Sequence, residues 1–221
     1  MRTPGTAIAV RVQSHPSRRD FRERLLNGLD GLLIQVVEDD SKPPNPWSGY
    51  QKCLSDLRGY SHVLVIQDDA IVCKDFPETI NRIVVAKPHR VVSLFVGGLR
   101  NRTTRSFTEA IGREDRYGEI YFRDIHHVVA VLWPAQLAKA FLDWSRTHDL
   151  PGIPNPRSDD AVFGAWARNT KNRVLCTVPS LVQHPDDVKS TVGLRDRAGK
   201  DRGRVAAFYI GDDDPLALDW S

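Results

Sequence analysis

Short apolar runs alternate along the chain with longer stretches in which apolar residues recur every three or four positions, the pattern of strands alternating with helices. Residues 6–12 (TAIAVRV) read as a buried first strand closed by Ser14-His15-Pro16, and a helix follows with Phe21, Leu25, Leu26 and Leu29 on one face. Residues 32–37 (LLIQVV) form a second strand, stopped by Glu38-Asp39-Asp40 and a proline-rich loop at 43–46. A helix over 47–59 leads to a third strand at 62–66 (HVLVI), which runs straight into Gln67-Asp68-Asp69. Asp75 and Pro77 open a helix with Phe76, Ile80, Ile83 and Val84 inward, and residues 91–96 (VVSLFV) make strand four.

Beyond that point the pattern weakens. Residues 99–123 scatter arginines among polar positions and read as a basic surface excursion. Strands at 127–133 and 173–178 resume the alternation, with helices opened by Pro134 and by Ser158, the second carrying Val162, Phe163 and Trp166 on one side. The expected architecture is an α/β domain over residues 1–192, built on a mainly parallel sheet flanked by helices, with 193–221 as a polar tail or lid.

Composition narrows the class without naming a partner. With 221 residues, 41% of them hydrophobic, one core is expected. Lys plus Arg number 31 and Asp plus Glu 28, a net charge of +3, which is too small to identify a polyanion-binding protein. Three cysteines without a CxxC argue against a disulfide framework or a structural zinc site, so a reducing cytoplasm is expected. No apolar run approaches the ~18 residues that a membrane span needs.

In an open parallel sheet, ligands gather beyond the carboxyl ends of the strands. Polar residues stand at those ends. Asp68-Asp69 is the sharpest group: two adjacent acids after an apolar strand repel each other unless a cation or a set of donors compensates, and Mg²⁺ or Mn²⁺ bridging carboxylate to phosphate would do so. The plainer use of the pair is to turn the chain and cap it. His184, after the last strand, could give that metal a nitrogen ligand, or serve structure alone. Asp159 and Asp160 begin a helix, where acids favour the dipole; one of them could instead accept the proton of an attacking hydroxyl. Arg18 could meet phosphates or solvent, and Asp39 could bind a ribose or shape its loop.

These residues resemble a glycosyltransferase of the GT-A fold. The segment from Val10 to Phe21, with Ser14 and the Arg18-Arg19 pair, resembles the opening of the family 25 glycosyltransferases, and Gly49-Tyr50-Gln51-Lys52-Cys53-Leu54-Ser55 is similar to that family's Gly-x-x-x-Cys-Leu-Ser helix. Residues 65–72 (VIQDDAIV) look like its Leu-Glu-Asp-Asp-Val block, with Gln67 in place of the first acid. The helix starting at Asp159-Asp160 and residues 179–184 (PSLVQH) resemble late GT-A segments. The matches cover roughly 6–76 and 126–190 in order.

The resemblance implies transfer of a sugar from a nucleoside diphosphate donor to an acceptor hydroxyl, aided by Mn²⁺ or Mg²⁺. Asp69 and His184 would hold the ion, Ser14, Arg18, Asp39 and Asp68 the nucleotide-sugar, and Asp159 or Asp160 would act as base. The acceptor would be a glycan or a hydroxyl-bearing modified base in DNA. Two other classes share these residues: a metal-dependent nuclease or phosphotransferase, and a non-catalytic nucleotide or nucleic-acid binding module that works through the arginines of 100–123.

Overall fold

Side chains of β1 (Ile8–Ser14) alternate between two apolar layers, as period-two geometry requires. Ile8, Val10 and Val12 pack on one side of the sheet, and Ala9 on the other. β3 (His62–Gln67) repeats the division, with Leu64 and Ile66 opposite Val63 and Val65. These facts come from a computed structural model that describes residues 7–97, 101–125, 127–150, 153, 158–185 and 205–221.

The main sheet has the order β2-β1-β3-β7-β5-β8-β6, with β2 at Leu33–Glu38, β5 at Val92–Ser93, β6 at Tyr117–Ile120, β7 at Ala130–Pro134 and β8 at Val174–Thr177. β2, β1, β3, β5 and β8 run one way, while β7 and β6 run against them. The sheet is therefore mixed but mostly parallel, as expected. A small second sheet pairs β4 (Ile71–Val72) with β9 (Val182–Gln183).

Helices cover both faces, because strands buried on both sides need apolar partners on each. On one face α1 (Arg19–Asn27) supplies Leu25, and α3 (Phe76–Ala86) supplies Phe76, Ile80, Ile83 and Val84. On the other face α2 (Pro46–Cys53), α5 (Ala135–Thr147) and α6 (Asp159–Thr170) surround Trp133. The Trp133 ring lies 5.1 Å from Phe141, 4.8 Å from Phe163 and 5.3 Å from Trp166, and its indole N–H donates to the Tyr50 hydroxyl at 3.0 Å. That bond satisfies the one polar atom of a fully buried ring. α2 ends at Cys53, short of the expected 59, because Asp56 and Gly59 adopt left-handed backbone angles that no helix continues.

Two segments differ from the sequence expectation. Residues 101–112 form α4 (Asn101–Gly112) and 117–120 form the edge strand β6, so much of 99–123 belongs to the folded body. Phe107 and Ala110 pack with Val96, Cys176 and Val178. Only two apolar residues on this part of the helix face inward, which is why its period is faint beneath the arginines. Residues 205–221 also return to the body: Ala206, Ile210 and Trp220 are buried in the core, and Tyr117 donates its hydroxyl hydrogen to the Trp220 carbonyl at 2.8 Å. The part of the expected tail at 193–204 lies outside the described residues. Among the described residues, no helix is long and apolar enough to cross a membrane.

If α4 is part of the core, Phe107→Ala lowers unfolding stability by about 3–5 kcal/mol, while exposed Arg105→Ala on the same helix changes it by less than about 0.5 kcal/mol. Urea unfolding followed by circular dichroism reads both values. Similar small effects from the two variants would show α4 to be loosely attached.

Candidate functional site

Strand register assembles the site. Ser14 lies opposite Glu38, and Gln13 opposite Gln67, so the residues leaving β1, β2 and β3 stand side by side on one rim. The ladder continues one step further: Asp39 N–H donates to the Ser14 carbonyl at 2.8 Å, and Asp68 N–H to the Gln13 carbonyl at 3.0 Å. β9 comes to the same rim by pairing antiparallel with β4, Ile71 facing Gln183. That pairing carries His184 to the neighbourhood of Asp69.

A single helical turn at Pro16–Arg18 directs Arg18 back over the two acids. The turn is built locally: the His15 ring Nδ1 accepts the Ser17 N–H at 3.3 Å, and Arg18 N–H donates to the His15 carbonyl at 2.9 Å. Asp68 holds this turn to β3. Its Oδ2 accepts the His15 N–H at 2.7 Å, and its Oδ1 accepts from Arg18 Nη1 at 3.3 Å.

Asp69 is the centre of the group. Its Oδ2 lies 2.5 Å from Arg18 Nη1 and 3.0 Å from His184 Nε2, and its side chain is 0% exposed. Among the described residues neither carboxylate oxygen receives a hydrogen bond of good geometry, so these are charge contacts rather than aligned bonds. Burial works to raise the Asp69 carboxyl, but the contact and charge of His184, with Arg18 beside them, more than offset it and hold the group below the usual carboxylate range. Asp68 moves the other way. Burial, helped by the neighbouring Asp69 charge, lifts it above the ordinary value despite the His15 and Arg18 contacts.

His184 is oriented by its neighbour in sequence: Nδ1 lies 2.7 Å from the Pro185 carbonyl, a partner that only a ring N–H can satisfy, which leaves Nε2 as the nitrogen that faces Asp69. Gln183 steadies the segment: its Oε1 accepts the N–H of His184 at 2.9 Å and of Ala206 at 2.6 Å. An imidazole nitrogen and a carboxylate oxygen 3.0 Å apart suit neighbouring ligands of one octahedral ion, since bonds of about 2.1 Å at right angles end about 3.0 Å apart. The donor set fits Mn²⁺ or Mg²⁺. Among the described residues no group of three or more His, Cys, Asp or Glu side chains could hold a metal.

The other expected residues have attachments of their own. Ser14 is buried, and its hydroxyl accepts from Arg22 Nη1 at 3.3 Å, with Arg22 also paired to Glu38. Asp39 organises the loop that follows it: Oδ1 accepts from the Ser41 hydroxyl at 2.5 Å and Oδ2 from Asn45 N–H at 2.6 Å. Burial opposes ionisation there, yet these bonds keep the carboxyl below its usual value. Asp159 lies under α2, with Gln13 Nε2 3.4 Å from its Oδ2. Burial first, and the charge of Asp160 second, push Asp159 well above the ordinary carboxylate value. Asp160 is half-buried and accepts the Ser158 hydroxyl at 2.6 Å.

Three contributors were not singled out in the sequence. Gln13 joins β1 to the α2 loop and to Asp159, donating to the Pro46 carbonyl at 2.8 Å. Gln183 and Arg22 anchor His184 and Ser14. A lone amide at the end of an apolar strand was the only available signal for either glutamine.

No protein-family model matches the sequence, and no curated protein matches it. Solved structures do share the fold. Residues 1–349 of S. aureus TarS in complex with UDP superpose with a TM-score of 0.50 at 12% identity, covering 77% of this chain and 57% of that one. The same TarS segment solved by itself gives 0.48 at 11% identity over 77% and 58%. A Drosophila β-1,4-galactosyltransferase 7 mutant in complex with manganese, UDP-Gal and xylobiose gives 0.43 at 10% identity over 92% and 76%. The chain spans less than three fifths of the TarS segments it resembles. The shared feature is a GT-A-like fold, a mostly parallel seven-stranded sheet between helices.

The Asp159 environment has a pH consequence. A carboxyl raised above its unfolded value near 3.8 favours folding while protonated, and the folded state loses stability as pH rises from there through the raised value. Asp159→Asn carries no such charge. The melting temperature of the variant relative to the parent should therefore climb as pH rises above about 4, and level off once the raised Asp159 value is passed, in circular-dichroism melts. A pH-independent difference would mean that Asp159 is ionised at no cost.

Proposed function

We propose that this protein is a glycosyltransferase that moves a sugar from a nucleoside diphosphate donor to an acceptor hydroxyl, with a divalent ion at Asp69 and His184. The observation that carries the reading is the convergence of Arg18, Asp69 and His184 within 3.0 Å at the carboxyl rim of a GT-A-like sheet. Motif order along the chain favours family 25 among such enzymes. When bound, the ion would neutralise charge that develops on the departing diphosphate.

The chain's own residues have separable tasks in this reading. Asp69 and His184 supply one oxygen and one nitrogen to the ion, and Asp68 keeps the Pro16–Arg18 turn against β3 while facing the nucleotide. Arg18 and Ser14 face the phosphates, where a guanidinium fork matches two oxygens at once. Asp39 receives the ribose with the acceptor capacity its loop bonds leave over. Asp159 or Asp160 takes the proton of the acceptor hydroxyl; the raised Asp159 value suits a group that must hold a proton once it has taken it. The chemistry needs only an acceptor hydroxyl within reach of that carboxylate, and a glycan hydroxyl is the acceptor of this reading.

The TarS segment with this fold was solved with UDP, so UDP-sugars are the first donors to try. Thermal melts with UDP-, GDP- and TDP-sugars, each with Mn²⁺ or EDTA, should show one donor raising the melting temperature by about 5 °C or more at a hundred-fold excess over Kd. The shift should vanish in EDTA and in Asp69→Ala, and that variant should release nucleotide from the donor at least about a hundredfold more slowly. Stabilisation by no donor, or a shift that survives Asp69→Ala, would overturn the reading. Nicking of DNA without sugar transfer would favour a nuclease.

A further inference from the structure

Arg18 occupies the place that a divalent ion would need. Its Nη1 lies 2.5 Å from Asp69 Oδ2, the oxygen that also faces His184 Nε2 at 3.0 Å, and 3.3 Å from Asp68 Oδ1. A divalent ion at that oxygen would bring two further positive charges against the guanidinium, and the low local dielectric leaves that repulsion poorly screened. The arrangement is also layered. The Asp69 side chain is fully buried, whereas the Arg18 side chain is 12% exposed and stands outside it on the short turn after β1. Anything reaching Asp69 from that side meets Arg18 first.

We propose that Arg18 is an exchangeable cation. In the protein without donor it neutralises the Asp68-Asp69 pair; when a divalent ion enters with a diphosphate, Arg18 leaves Asp69 and its guanidinium moves to the diphosphate oxygens. This inference rests on the transferase reading for the identity of the diphosphate, but the competition between Arg18 and metal at Asp69 stands by itself. Three physical features support the exchange. The guanidinium fork binds carboxylate and phosphate with the same geometry, so one side chain serves both states. Its long, flexible stem allows the head to move while the turn stays fixed by His15 and Asp68. The total charge near the acids also stays balanced, since each cation that leaves is replaced before the carboxylates are left unpaired.

The consequence is mutual dependence. Metal alone must compete with a tethered guanidinium already in contact with its ligand, and binds weakly. Diphosphate alone faces a guanidinium engaged with carboxylates, and also binds weakly. Together each frees the partner that the other needs, which is positive coupling between two ligands.

The test is calorimetric titration with MnCl₂ alone, with free Mn²⁺ counted by electron paramagnetic resonance, and titration with UDP in the presence of saturating Mn²⁺. Arg18→Gln should bind Mn²⁺ alone at least about tenfold more tightly than the parent, and UDP at saturating Mn²⁺ at least about tenfold more weakly. Arg18→Lys keeps the charge without the fork and should fall between the two; it also serves if Arg18→Gln does not fold. Arg22→Gln removes a nearby arginine that contacts Ser14 and Glu38 instead, and should change Mn²⁺ affinity less than about twofold. Asp69→Asn should abolish Mn²⁺ binding with either residue at 18. Mn²⁺ affinity in Arg18→Gln equal to or weaker than in the parent overturns the exchange, as does an equal gain in Arg22→Gln. If no variant binds Mn²⁺ while a nucleotide sugar still stabilises the protein, the exchange fails and sugar transfer stands. If Arg18→Gln gains Mn²⁺ affinity while no nucleotide sugar stabilises the protein, the competition at Asp69 is upheld and the transferase reading fails.

Discussion

One buried oxygen organises the candidate site. Asp69 Oδ2 is approached by Arg18 from the turn after β1 and by His184 from the strand that pairs with β4, so three segments distant in sequence meet at a single negative charge. A carboxylate taken out of water is costly unless cations or donors replace its hydration. The rest of the rim can be understood as the means of supplying them. Asp68 ties down the turn that presents Arg18, the Pro185 carbonyl sets the tautomer of His184, and Gln183 holds the backbone on which His184 sits.

The sheet makes this convergence possible. Parallel strands deliver their following loops to one edge, and the register of β1 with β2 and β3 brings Gln13, Val37 and Gln67 to one level there, with Ser14 and Glu38 one step beyond. The short β4-β9 pair then adds His184 from a late segment of the chain. Its position depends on Leu181 N–H and Val182 N–H, which donate to the Leu94 carbonyl where β5 ends. The aromatic packing around Trp133 lies on the opposite face from Ile66 and keeps the sheet fixed beneath these loops.

The acids on the rim share a composition but differ in physical state. Asp39 is held largely by its own loop, Asp68 by the Arg18 turn and Asp69 by cations, while Asp159 lies buried beside Asp160 with its carboxyl pushed well above the ordinary value. Burial raises all four, and what separates them is the number of donors and positive charges that each neighbourhood provides. Proximity in sequence gave no guide to this, since Asp68 and Asp69 are adjacent and shift in opposite directions.

Order and type of most elements were legible in the sequence because apolar periodicity is a local property: residues 62–66 read as a strand and those after Asp75 as a helix whatever lies around them. The placement of polar residues at strand ends was legible for the same reason, and with it the choice of Asp68, Asp69 and His184 as one group. Tertiary structure alone decided the rest. The β6 edge strand and α4 depend on packing against β8 and the loop beyond it, and the C-terminal segment on a core built by residues more than a hundred positions earlier. Above all, pairing of Arg18 with Asp69 is set by how a turn after one strand leans over the end of another. A distance of 2.5 Å between side chains 51 positions apart follows from strand register and loop geometry, which no local pattern encodes.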